Sequence, residues 1–62
     1  MENAEIGSYG YQSRKMGSLD EVYGFKTYEE AMENSEKGDG WNTIIFEIVE
    51  NEYGGKEMLI KN

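Results

Sequence analysis

The most apolar stretch of the chain is Trp41-Asn42-Thr43-Ile44-Ile45-Phe46-Glu47-Ile48-Val49-Glu50, and its β-branched and aromatic content predicts a strand. Ile44, Phe46 and Ile48 share one face, and Ile45, Glu47 and Val49 share the other. The second face is too apolar to lie wholly in water, so the pattern predicts a central strand or one partly under a partner. Glu57-Met58-Leu59-Ile60-Lys61 predicts a last strand, joined to the first by a hairpin. A three-residue loop, Glu52-Tyr53-Gly54, would place Gly54 in the left-handed position after a type I turn. It sets Glu50 opposite Lys56, Ile48 opposite Met58 and Phe46 opposite Ile60. A two-residue Gly54-Gly55 turn would instead set Ile48 against Lys61 and Glu50 against Leu59. Matched faces select the three-residue loop.

Ahead of this hairpin the period changes. Thr27-Tyr28-Glu29-Glu30 is a capping box, in which the Thr27 hydroxyl accepts from the Glu30 N–H and the Glu30 carboxylate reaches back. Tyr28, Ala31, Met32 and Ser35 then recur at helical spacing, and Gly38 stands where a left-handed residue would end the helix. A helix over 28–37 follows. Glu21-Val22-Tyr23-Gly24-Phe25-Lys26 predicts a strand with Tyr23 and Phe25 on one face. Ile6, Ser8 and Gly10 alternate with Gly7, Tyr9 and Tyr11, which makes residues 1–20 either a first strand or a flexible, glycine-weakened arm.

The fold class expected is α+β in a single domain, 1–62: one helix on a small antiparallel sheet of three or four strands, ending in a β-hairpin. The expected core is Tyr28, Ala31, Met32, Ile44, Phe46, Ile48, Met58 and Ile60, joined by Val22 and Phe25. Ile45, Val49 and Leu59 form a second apolar stripe. A chain of 62 residues buries only about 60% of its unfolded surface, and this one has no Cys or His for a disulfide or a zinc site. Self-association is therefore expected: a homo-oligomer, taken as a homodimer, or else an obligate partner of another kind, uses the second stripe as its contact.

Charge alters the functional picture more than the fold. Thirteen Asp and Glu against six Lys and Arg give a formal net charge of −7. Direct binding to nucleic acid or to an anionic membrane is disfavoured, and a protein partner with a basic surface is favoured. Solubility alone also accounts for such a charge, since a magnitude of about 2–8 is ordinary for a small domain. No stretch nears the roughly 18 apolar residues that cross a bilayer, and the acidic start lacks a secretory signal pattern. The expected location is cytoplasmic.

Catalytic signatures are missing. No phosphate-binding glycine loop appears, and nucleophile–base pairs fail for want of His and Cys. The glycines read as turn and bulge residues. Glu36, Asp39 and Asn42 lack calcium-loop spacing, so no metal and no cofactor is expected. Arg14-Lys15 near Tyr9 and Tyr11 reads as a pair of solvated charges on an arm or loop, and Trp41 as the edge of the core.

The helix carries a nearly all-acidic outer face of Glu29, Glu30, Glu33 and Glu36, with Lys37 as the one partner, four residues after Glu33. Carboxylates four apart lie about 6 Å apart along the axis, close to the phosphate spacing of a nucleic-acid strand. Five tyrosines are many for this length, and tyrosine is enriched at interfaces. The expectation is a small acidic, non-enzymatic binding module: an inhibitor or adaptor, phage-like in its brevity, that covers a basic surface as a nucleic-acid mimic does. Its candidate partner-binding residues are Glu29, Glu33, Glu36, Asp39, Tyr9, Tyr11 and Tyr53. Two alternatives stand beside it: a binder of a small ligand or nucleotide signal at a dimer interface, and a structural subunit of a larger assembly.

Overall fold

The computed structural model describes residues 4–61. They form β1 (Tyr9–Lys15), β2 (Ser18–Phe25), α1 (Tyr28–Asn34), β3 (Asn42–Glu50) and β4 (Lys56–Ile60). The strands make one antiparallel sheet in the order β2-β1-β3-β4, with α1 packed on one face. This is the α+β architecture expected. The β3–β4 hairpin takes the register that matched faces select, Glu50 opposite Lys56, Ile48 opposite Met58 and Phe46 opposite Ile60. Gly54 sits at φ +81°. Its N–H donates to the Asn51 carbonyl at 3.1 Å, and the Asn51 N–H donates to the Gly55 carbonyl at 2.8 Å. The Asn51 side chain also accepts from the N–H groups of Tyr53 and Gly55, so the loop is held from inside.

Residues 9–15 are an inner strand rather than an arm, with β2 on one side and β3 on the other. Glycine is used here for close approach. A Cβ on Gly10 would lie 2.5 Å from the Val22 carbonyl oxygen and 2.7 Å from the Phe46 ring, so the ring covers bare backbone. Lys15 pairs with Ser18 across a tight Met16-Gly17 connection with Gly17 at φ +77°. Upstream, the Ser8 N–H and hydroxyl both donate to the Glu5 carbonyl, closing a turn around Gly7. That turn lays Ala4 against Phe46 and Ile48.

One irregularity decides the allocation of aromatics. Tyr9 pairs with Phe25 and Gly10 with Tyr23, which leaves Gly24 as an extra residue at φ +98°. Such a bulge breaks the two-residue alternation. Tyr23 and Phe25, expected on one face, therefore go to opposite faces: Tyr23 packs with Phe46 and Ile48, and Phe25 with Tyr11 and Ile45.

The helix also covers the other face of β3 from the one expected. Ala31 is fully buried against Tyr11 and Ile45, with Tyr9, Val22, Phe25 and Tyr28 around them. Phe46 and Ile48 instead form a second cluster with Ala4, Tyr23 and Met58 on the helix-free face. Met32 and Ile60 fall outside the core at 39% and 47% exposure. The physical reason is supply. β1 and β2 deliver two tyrosines, a valine and a phenylalanine to the Ile45 face, which needs only the narrow Tyr28–Ala31 side of α1 to close it. Ile45 is consequently buried, and the expected second stripe shrinks to Val49 and Leu59.

The helix ends three residues early. Ser35 takes an extended conformation, and both its N–H and its hydroxyl donate to the Met32 carbonyl. Gly38, at φ +115°, turns the following loop instead of capping the helix. Among the described residues no helix is long and apolar enough to cross a membrane.

Candidate functional site

The early end of α1 reshapes the acidic row. Glu29 and Glu33 remain one helical turn apart on its outer side, whereas Glu36 and Asp39 belong to the loop that returns to β3. All four are exposed. At the N-terminus the Thr27 hydroxyl accepts from the Glu30 N–H at 3.1 Å as expected, but the Glu30 carboxylate reaches the N–H of Lys26, one residue before the cap. At the other end Lys37 donates to the Glu33 backbone carbonyl at 3.1 Å rather than to the Glu33 carboxylate. A cation at the helix C-terminus meets the negative end of its dipole.

The loop after α1 is pinned from beneath by a polar clasp that alternation did not reveal. The Glu36 N–H donates to Ser13 Oγ at 3.2 Å, and Thr43 Oγ1 donates to the Glu36 carbonyl at 2.9 Å. Ser13 and Thr43 are themselves hydrogen-bonded at 2.9 Å across the β1–β3 pair. Ser13 is fully buried, so the clasp satisfies groups that would be costly to leave unpaired. Its effect is to fix the backbone that presents Glu36. A serine inside an alternating strand was the available signal.

Three further lysines are engaged away from this row. Lys15 lies 5.6 Å from the centre of the Trp41 ring, so the cation–aromatic pair is with tryptophan and not with Tyr9 or Tyr11. Lys61 pairs with Glu47 at 3.1 Å, and Lys56 donates to the Ala4 carbonyl. Lys61–Glu47 is the one ion pair among the described residues, which leaves Glu29, Glu33, Glu36 and Asp39 without a cationic partner there.

The three candidate tyrosines separate. Tyr11 is 5% exposed under α1, and its hydroxyl donates to Asp20 Oδ2 at 3.1 Å. Burial first, and then that bond, raise its pKa above 10.0. It is part of the core and presents no surface. Tyr9 is half-buried in the same cluster. Tyr53, at the hairpin tip, is 88% exposed and far in the sheet from α1, which lies over β1, β2 and β3 without reaching β4. The acids and the exposed tyrosine therefore do not form one patch.

A second polar group lies on the helix-free side of β2. The Tyr23 hydroxyl donates to the Glu21 carboxylate, and Gln12 Nε2 donates to its other oxygen at 2.8 Å. The Tyr23 bond, followed by the Gln12 bond, holds Glu21 below its usual carboxylate range. The same bond, aided by burial, pushes Tyr23 up to about 12. A groove of about 460 Å³ lies between the Glu5–Ser8 turn and the Gly24–Lys26 segment. It is open to solvent, and among the described residues no buried side-chain polar atom lacks a partner. Nor do three acidic side chains group closely enough there to hold a metal ion.

Protein-family models, curated proteins and solved structures give no match to this chain.

Proposed function

We propose that this chain is a small acidic protein-binding module, an inhibitor or adaptor of a cytoplasm-type compartment that covers a basic surface of its partner without catalysis. The observation that carries this reading is the set of exposed carboxylates on α1 and its following loop, Glu29, Glu33, Glu36 and Asp39, which meet no cation among the described residues. Like charges left together on an exposed helix oppose its stability by a few tenths of a kcal/mol per pair. They attract a basic partner over a distance and speed its encounter. Glu36 stands on backbone clasped by Ser13 and Thr43, so part of the surface is preorganised.

The test is a comparison of variants. The chain carrying Glu29→Lys, Glu33→Lys, Glu36→Lys and Asp39→Lys should keep its circular dichroism and melt no earlier. It should lose a host protein that the unaltered chain retains and releases with rising salt. Tyr53→Ser is the control and should leave that protein bound. Retention by the reversed chain together with loss in Tyr53→Ser would show the contact to be aromatic rather than electrostatic, and retention by both would show that neither surface makes it.

A further inference from the structure

The two edges of the sheet are built differently. β2 is interrupted by the Gly24 bulge and carries Asp20 and Glu21 side by side, features that blunt an edge against pairing. β4 pairs with β3 without any irregularity, contains no Pro, and is not reached by α1. Its outward-pointing backbone follows from the ladder. Lys61 N–H donates to the Ile45 carbonyl and Asn51 N–H to the Gly55 carbonyl, which makes Ile45/Lys61, Glu47/Leu59 and Val49/Glu57 the hydrogen-bonded pairs. The N–H and C=O groups of Lys56, Met58 and Ile60 therefore point away from β3. Leu59 and Ile60 are 46% and 47% exposed on the two faces of this same edge.

We propose that β4 pairs antiparallel with β4 of a second copy, joining two four-stranded sheets into one of eight strands. The side chains select the register. With Leu59 on the two-fold axis, Met58 lies opposite the partner's Ile60, and Ile60 opposite the partner's Met58. Each of these pairs exchanges two backbone hydrogen bonds. Glu57 then falls opposite the partner's Lys61, and Lys61 opposite the partner's Glu57. Lys61 already holds Glu47 at 3.1 Å on that face, so the second carboxylate completes an acid–base–acid row. Moving the pairing one step toward the hairpin sets Glu57 against leucine and Met58 against itself. A further step sets Glu57 against Glu57. Only the Leu59-centred register matches opposite charges on one face and apolar side chains on both. On β2, pairing centred on Asp20 or Glu21 would set that acid against its own copy, and the Gly24 bulge interrupts the rest of the edge. Leu59 and Ile60, left exposed in the single chain, become covered.

Sedimentation from micromolar to millimolar concentration, on the unaltered chain and three variants, tests this. The unaltered chain should form a dimer and nothing larger, with amide exchange at Met58 and Ile60 slowing as the dimer forms. Ile60→Pro removes an outward N–H that β3 does not use, and should give a folded monomer. Glu57→Lys and Lys61→Glu should each weaken their own dimer about tenfold, because two facing pairs turn repulsive. Mixed together they should form a heterodimer, since every facing pair is again opposite in charge. Lys61→Glu also loses the Glu47 pair, and the mixing experiment separates that loss from the interface. A strict monomer throughout the range, a dimer indifferent to Ile60→Pro, or variants that fail to complement each other would overturn the proposal. Continuous growth with concentration would overturn the two-fold and point to β4 pairing with β2 of the next chain.

Discussion

At the scale of single residues, the Tyr23 hydroxyl shows how one bond ties ionisation to folding. It donates to the Glu21 carboxylate, and its pKa is pushed from 10.0 to about 12. A tyrosine raised in the folded state favours folding while it stays protonated. Its contribution is complete below 10.0 and is lost as pH climbs from there toward about 12. Buried Tyr11 is raised too and acts in the same direction. Glu21 is lowered and gives the acid counterpart: its contribution is present above 4.5 and fades as pH falls below it. Thermal melts across the alkaline range should show the midpoint falling once pH passes 10.0, and Tyr23→Phe should flatten that fall. An identical alkaline limb in Tyr23→Phe would mean that the bond contributes nothing to stability.

At the scale of elements, the β3–β4 hairpin rests on Gly54, whose φ of +81° is accessible to glycine and strained for other residues. Gly54→Ala should destabilise the chain by about 1 kcal/mol or more, whereas Gly55→Ala should cost less. A Cβ at Gly55 would come nearest the Asn51 amide, at 3.3 Å, and the backbone there is not left-handed. Equal losses in chemical denaturation would contradict this account of the turn. The hairpin was legible because its signals are local: a glycine at the right offset and faces that match in one register. The helix start was legible for the same reason. Its end was not, because the chain leaves the helix at Ser35 and the next residue, Glu36, bonds Thr43 of β3 and Ser13 of β1, the latter 23 residues away in sequence. The face that α1 covers was hidden likewise. Alternation shows which residues of β3 share a side, but not which side the neighbouring strands fill with aromatics. Of the candidate binding residues, Glu29 and Glu33 are exposed as the helical pattern implies, Glu36 and Asp39 are exposed on the loop, and Tyr11 is buried because its side of β1 lies under α1.

At the scale of the whole molecule, two small apolar clusters lie on opposite sides of one sheet, and neither is large for a chain that must offset the entropy of ordering. The Gly24 bulge gives this arrangement a consequence for cooperativity. Because the strand shifts phase at that glycine, adjacent aromatics of β2 anchor in different clusters, Tyr23 beside Phe46 and Phe25 beside Tyr11. β3 joins the two half-cores through neighbouring Ile45 and Phe46, and the bulge lets Tyr23 and Phe25 of β2 join them a second time. Phe46→Leu on one side and Ile45→Val on the other should each lower a single unfolding midpoint, reported identically by tryptophan fluorescence and by far-ultraviolet dichroism. Deleting Gly24 would set Phe25 directly after Tyr23, so plain alternation would keep the two rings on opposite sides, and the chain should keep both halves of its interior while β2 becomes a regular, unbroken edge.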